Sequence, residues 1–455
     1  MKTILPKLVG LLAAVWILSP SPLFAAEGEA AVSVEIGRVF KATPWMEHLD
    51  GVPFEQVPYQ SLPVAQIIPA AGEYYTIAPE VAAAGYSYFF QVTSPDATYL
   101  VGSVVNLFKL THELGVIAEI RNRSKSKEFA QGVTQSVRGI GTGLAHLVAH
   151  PGLSLKNAGN RLRQTGRSLE QAVDGESIGR DESGVDRSQL GSGPAGGARR
   201  TLAYELGVDV YSSNPVLREV LNEYARVYAA GTFATWVIPY NLGTLAYFNP
   251  LSGDARVEIL IRDNSPYELR RAVGIELEPI FRMSREDKYD PLYAFLNNPN
   301  FSPRMIAYAG ADFQNLREAR NLVLGLSKVA GASTPEEADM AALTLRLYSL
   351  LHRNVAPVAE LRPFKESLAA VGADGMMYIM VPCDTLRPWN RTSEMFTELL
   401  DEARGLGVTG MQIWSVGDID PSMAENARKY GVEVRQNILR DPEFYHPPAG
   451  GEQPR

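Results

Sequence analysis

The strongest constraint on the fold is an alternation of short apolar runs and helical patterns near the carboxyl end of the chain. The apolar runs cover residues 376–381, 411–416 and 432–434. Helical patterns separate them: one is capped by Thr392 or Ser393 and ends at Gly407, and the other starts at Asp420 and Pro421 and ends at Gly431. This order predicts a small parallel β-α-β-α-β sheet with helices on its faces and right-handed connections.

The ends of these strands are where the sequence predicts a site, because ligands of open parallel sheets bind outside the carboxyl ends of the strands. The polar and reactive residues that follow the first two strands are Cys383, Asp384, Arg387, Trp389, Arg391, Ser415 and Asp418. Cys383, Asp384 and Asp418 are the catalytic candidates, and Arg387, Trp389, Arg391 and Ser415 are the candidates for binding an anion or another small ligand.

Two interpretations of Cys383 are open from the sequence. A cysteine beside arginines has a lowered pKa and acts as a nucleophile in some enzymes. However, the sequence fixes no histidine nearby as a general base. The favoured interpretation is therefore that Cys383 is a small buried apolar residue, and that Asp384 and Asp418 are turn or cap residues.

No motif predicts a cofactor or a metal ion. No G-x-G-x-x-G pattern of a dinucleotide-binding turn follows the first strand of the C-terminal unit, and the chain has no G-x-x-x-x-G-K-[ST] phosphate-binding loop. His146 and His150 have the spacing of a zinc-protease helix, but Leu147 stands where the glutamate is needed. Cys383 is the only cysteine, so an intramolecular disulfide is impossible.

A basic stretch in the middle of the chain contrasts with the acidic character of the whole. Residues 121–170 contain nine basic and two acidic side chains, a charge of +7, whereas the entire chain carries −8. Small residues recur there about every seven positions, and Pro151 divides the stretch into two predicted helices. Two hypotheses remain open: the helices lie on the acidic body of the protein, or they bind a membrane surface or a partner through Lys156, Arg161, Arg163 and Arg167.

The first residues have the layout of a secretory signal peptide. Lys2 and Lys7 precede an uncharged apolar run at 9–18, and the small residues Ala25 and Ala26 follow. We expect cleavage of residues 1–26, export, and a location in the periplasm. Removal of the two lysines takes the formal charge from −8 to −10, and this acidic balance disfavours binding to nucleic acid.

The sequence predicts an α+β (mixed) fold with several parts, because about 430 residues exceed the size of a single core. The parts are a β-rich domain at 27–100, a basic helical segment at 101–173, a flexible linker at 174–200, a mostly helical domain at 201–372, the small α/β domain at 373–440, and a disordered tail at 441–455.

Local patterns predict individual elements within these parts. Strands are expected at 32–39, 64–68, 74–77, 86–93, 97–101 and 257–261. Helices are expected from 101 to about 122, after the caps Asn214 and Thr334, and at 316–329. Residues 227–248 carry no charge, but glycine, proline and polar residues interrupt them, so we expect a buried helix and loop there and no transmembrane span after signal removal.

One segment resembles a known group. Residues 206–217, Leu-Gly-Val-Asp-Val-Tyr-Ser-Ser-Asn-Pro-Val-Leu, are similar to a segment of exported bacterial proteins of unassigned function. The resemblance covers a small part of the chain and implies a bacterial envelope context, but no site residues.

Together these observations predict an exported, non-catalytic envelope protein that binds a protein partner or a membrane surface. The alternative is an enzyme or a small-ligand binder that uses the strand ends of the C-terminal α/β unit.

Overall fold

The structure is a computed structural model, and it describes residues 33–35, 54–84, 86–124, 194–229, 251, 254–364, 367–387, 401, 405, 407–441, 443 and 444. Both helices and several sheets are present, so the mixed class expected from the sequence is confirmed. None of the described helices combines the length and the apolar content that a bilayer span requires.

The N-terminal part is a mostly antiparallel sheet. Its strands are β1 (Ser33–Glu35), β2 (Phe54–Pro58), β3 (Thr76–Ile77), β4 (Glu80–Ala84), β5 (Ser87–Thr93) and β6 (Thr98–Gly102). The order is β1-β6-β5-β4-β2, with β3 on β5, and β1 runs parallel to β6. The strand predicted at 64–68 is wrong: Pro63–Gln66 is a 3-10 turn, because Pro63 starts it and Ile67 N–H bonds back to Val64.

Helix α1 (Val104–Ser124) leaves this sheet one residue after β6 and confirms the helix predicted for that region. The described chain then continues with α2 (Pro194–Glu205) and α3 (Pro215–Ala229), which pack on α1 and on the sheet in one apolar core. Residues 194–200 of the predicted linker therefore belong to a helix. The remainder of that linker, the basic stretch after residue 124 and residues 230–250 lie outside the described residues.

A helical layer follows in the chain. Its helices are α4 (Ala255–Asp263), α5 (Pro266–Phe281), α6 (Pro291–Leu296), α7 (Pro303–Asn315), α8 (Leu322–Ala330) and α9 (Pro335–Asn354). The strand predicted at 257–261 is wrong, since these residues lie in α4, where the Asp254 side chain caps the first turn. The helix predicted at 316–329 begins only at Leu322. The predicted caps Asn214 and Thr334 are confirmed by their bonds to Leu217 N–H and Glu337 N–H.

The C-terminal sheet confirms the predicted parallel strands and extends them. Strands β7 (Val358–Phe364), β8 (Ser367–Gly372), β9 (Met376–Val381), β11 (Gly410–Ser415) and β13 (Val432–Arg435) have the order β13-β11-β9-β8-β7. Strands β9, β11 and β13 are parallel, as predicted, but β7 and β8 are antiparallel and were not predicted. Helix α10 (Pro421–Lys429) follows the predicted cap Asp420 and covers one face. The other face packs on α8 and α9.

Candidate functional site

The predicted site residues lie where β9 and β11 end. Two short parallel strands, β10 (Thr385–Leu386) and β12 (Asp418–Ile419), pair directly beyond these ends. Cys383, Asp384 and Ser415 are buried, whereas Arg387 and Asp418 are partly exposed. The structure therefore brings these five residues into one region. Trp389 and Arg391 lie outside the described residues, as do Lys156, Arg161, Arg163 and Arg167.

Cys383 has the environment of a core residue. Its side chain is only 5% exposed, and it packs among apolar residues of the sheet and of α10. The Sγ atom lies 3.6 Å from the Oγ atom of Ser415. Burial raises the pKa of the Cys383 thiol to about 12, so the thiolate needed for nucleophilic attack is scarce at neutral pH. This environment favours the packing interpretation over the nucleophile.

Asp384 binds the N-terminal sheet through its carboxylate. Its Oδ2 atom accepts a hydrogen bond from Tyr88 N–H, and its Oδ1 atom accepts one from Val104 N–H, both at 3.0 Å. Val104 is the first residue of α1, so a residue 280 positions away caps this helix. Burial raises the pKa of Asp384 to about 6, although the two N–H donors act in the opposite direction.

The neighbouring residues complete this contact. Arg387 forms an ion pair with Glu55 of β2. Asp384 N–H donates to the carbonyl of Tyr86, and Asp418 N–H donates to the carbonyl of Asp384 at 3.1 Å. Asp418 also accepts a hydrogen bond from the side-chain amide of Asn437 at 2.7 Å. We call this region the sheet junction. In it Asp384 and Arg387 contact the N-terminal part of the protein, and Asp418 contacts Asp384 and Asn437.

Position 417 has room only for glycine, because its backbone lies close to the backbone of Asp384 at the sheet junction. A Cβ atom at this position would lie 1.9 Å from the carbonyl oxygen of Asp384. The turn between β11 and β12 therefore contacts the Asp384 backbone directly. Other parts of the protein therefore cover the ends of β9 and β11. The predicted site residues Asp384, Arg387 and Asp418 make contacts with these parts.

A second polar cluster joins α1 to the segment 206–217. Lys109 Nζ lies 3.0 Å from Asp209 Oδ2, and Asn214 Nδ2 donates to Glu113 Oε2 at 3.1 Å. His112 Nε2 lies 3.1 Å from the carbonyl oxygen of Gly207. Burial raises the pKa of Glu113 to about 7 and lowers the pKa of His112 to about 4.

The sequence analysis missed this cluster, although a signal was present. Lys109, His112 and Glu113 have i, i+3 and i+4 spacing, so they share one face, and they are the only ionisable side chains between residues 104 and 118. A further ion pair joins Arg304 to Glu258. The Glu258 carboxylate also accepts a hydrogen bond from the Tyr308 hydroxyl at 2.7 Å. These contacts link α1 to the segment 206–217 and α4 to α7.

An open polar groove lies at the carboxyl ends of α7 and α9. Its volume is about 580 Å³, and its lining residues are Arg256, Glu276, Gln314, Asn315, Arg317, Glu318 and His352. Across the described ranges, no group of three or more histidine, cysteine, aspartate or glutamate residues is placed to hold a metal ion.

Comparisons with protein-family models, with curated proteins and with solved structures give no significant match. The resemblance of residues 206–217 to exported bacterial proteins therefore stays a prediction. The structure adds that this segment binds three polar side chains of α1.

Proposed function

We propose that the protein is exported to the periplasm and acts there without catalysis, by binding an anionic membrane surface through its basic stretch. The observation that carries this proposal is the separation of charge along the chain. The mature chain carries a formal charge of −10 in total. Residues 121–170 carry +7, so the rest of the mature chain carries −17. A positive stretch on an acidic protein is attracted to anionic lipid, while the acidic part is repelled from it.

The state of the C-terminal strand ends supports a non-catalytic role. A catalytic carboxylate or thiol has to reach a substrate, but both carboxylate oxygens of Asp384 are used on backbone N–H groups. Cys383 is buried with a raised pKa, and Arg387 is paired with Glu55. The alternative, an enzyme or ligand binder at these strand ends, is therefore the weaker proposal.

Flotation of the mature protein with vesicles tests the membrane proposal. We expect binding to vesicles rich in anionic lipid and little binding to neutral vesicles, with a decrease as salt rises. Replacing Lys156, Arg161, Arg163 and Arg167 by Gln should weaken the binding by about 4 kcal/mol, nearly a thousandfold at low salt, since each cation contributes about 1 kcal/mol.

A matched control removes the same charge from elsewhere. Arg271, Lys288, Arg428 and Lys429 are exposed and lie far from the basic stretch in sequence. Their replacement by Gln should leave flotation within about twofold of wild type. Equal binding to neutral and anionic vesicles, or equal loss in both quadruple variants, would refute the proposal. If vesicle binding is absent while an acidic periplasmic protein is captured by the same four cations, the partner is a protein.

The export part of the proposal has its own test. Mass spectrometry of the protein from the envelope fraction should find an N-terminus near Ala26 or Glu27. An intact Met1 on exported protein would contradict the cleaved signal.

A further inference from the structure

The polar groove at the carboxyl ends of α7 and α9 carries an inference that is independent of the basic stretch. Its volume of about 580 Å³ is within the usual range of small-molecule sites, roughly 300–1,000 Å³. Four elements converge on it, because α4 supplies Arg256, α5 supplies Glu276, and the ends of α7 and α9 supply Asn315 and His352. The groove is therefore a feature of the tertiary structure and not of one loop.

Two opposite charges in this groove are left without protein partners. Within the part of the chain that the structure describes, neither the Arg256 guanidinium nor the Glu276 carboxylate takes part in a hydrogen bond or an ion pair. They line the same cavity, yet they do not pair with each other. By contrast, Arg317 and Glu318, which are both largely exposed, contact each other at 3.4 Å. The groove thus presents a cation, Arg256, and an anion, Glu276, that no described side chain pairs with.

The neutral groups of the groove have fixed hydrogen-bonding roles. Gln314 Nε2 donates to the backbone carbonyl of Glu276 at 2.9 Å, and Asn315 Nδ2 donates to Ser349 Oγ at 3.0 Å. Their amide oxygens are therefore the acceptors that remain. His352 Nδ1 accepts a hydrogen bond from Val358 N–H at 3.0 Å, so the neutral ring carries its proton on Nε2 and has a donor to offer.

We propose that this groove binds a small zwitterion in which an ammonium group and a carboxylate are separated, as in a free amino acid or a short peptide with both termini free. The planar guanidinium of Arg256 suits a carboxylate, and the Glu276 carboxylate suits an ammonium group. A ligand with a single charge leaves one of the two side chains unpaired. The amide oxygens and the His352 donor add contacts to the uncharged middle of the ligand.

Dialanine is the probe that tests this proposal on the mature full-length protein. We expect a dissociation constant on the order of 1 mM by ligand-observed NMR, because the charged groups are exposed and each pair contributes little in water. N-acetyl-dialanine and dialanine amide each lack one terminal charge. Each should bind about fivefold more weakly than dialanine.

Variants assign the two charges separately. Arg256→Gln should weaken dialanine about fivefold but leave dialanine amide unaffected, because the amide has no carboxylate. Glu276→Gln should weaken dialanine similarly but leave N-acetyl-dialanine unaffected. Arg271→Gln and Glu286→Gln alter exposed side chains of the same types that do not line the groove, and they should change nothing.

Three results would overturn the proposal. The first is no saturation transfer to dialanine at concentrations up to about 20 mM, well above the expected dissociation constant. The second is equal binding of dialanine and both blocked analogues. The third is a loss in the control variants as large as that in Arg256→Gln and Glu276→Gln. Unchanged thermal unfolding of all four variants confirms that they report on binding.

Discussion

The carboxylate of Asp384 should make the stability of the sheet junction depend on pH in a defined direction. In the folded protein the pKa of Asp384 rises from its ordinary value of 3.8 to about 6 because of burial. Between these values the folded state holds a proton that the unfolded state has released, so the free energy of unfolding falls as pH rises. The whole shift corresponds to about 3 kcal/mol, of which about 2 kcal/mol falls between pH 4.5 and pH 7.5.

Replacing Asp384 by Ala removes the free-energy cost of a buried carboxylate, and it also removes two hydrogen bonds. The buried N–H group of Tyr88 and the partly buried N–H group of Val104 lose their acceptors, at about 1–3 kcal/mol each. We therefore expect Asp384→Ala to be less stable than wild type at pH 4.5. The difference should shrink by about 2 kcal/mol at pH 7.5, where wild-type Asp384 is a buried charge.

Urea unfolding of both proteins at pH 4.5 and pH 7.5 measures these differences. Hydrogen exchange at Tyr88 and Val104 then shows whether the loss is local to the sheet junction. Asp287→Ala, which removes an exposed carboxylate in a loop far from the sheet junction, is the control and should leave exchange at Tyr88 and Val104 unchanged. A constant gap between wild type and Asp384→Ala, or unchanged exchange at both amides, would refute the reasoning.

Two further predictions concern the same region. A thiol reagent should label Cys383 in the native protein about a thousandfold more slowly than in the unfolded protein, because burial moves the thiol pKa from 9.0 to about 12; comparable rates would contradict the packing interpretation. Gly417→Ala should destabilise the protein by about 1–3 kcal/mol or more in thermal unfolding, since its Cβ would overlap the Asp384 carbonyl oxygen. Gly405→Ala meets no atom within 4 Å and should be tolerated, so equal effects of the two changes would contradict the close approach at Gly417.

The sheet junction changes how the predicted site is interpreted. The residue types that pointed to chemistry, a cysteine, two aspartates and an arginine, are also those that can cap a helix, join two sheets or fill a core. Asp384 and Arg387 bind residues that are about 300 positions away in sequence. Sequence spacing alone does not contain such contacts.

The sequence by itself determined the elements whose signals are local. The caps at Asn214, Thr334 and Asp420 were predictable because each side chain bonds to N–H groups within three residues. The three parallel strands were predictable because buried strands are short apolar runs between turn residues. The strand predicted at 257–261 failed because alternation over five residues also fits a helix, and the Asp254 cap decided in favour of α4.

Only the tertiary structure decided which polar side chains meet. Strands β7 and β8 form consecutive antiparallel hairpins with β9, so their pairing is local. The contacts of Asp384 with Tyr88 and Val104, by contrast, join residues that are 296 and 280 positions apart. The groove with Arg256 and Glu276 exists because the ends of α7 and α9 lie beside α4 and α5. Local hydrogen bonds and apolar periodicity act over a few residues, whereas a site is built from side chains that folding brings together from distant positions.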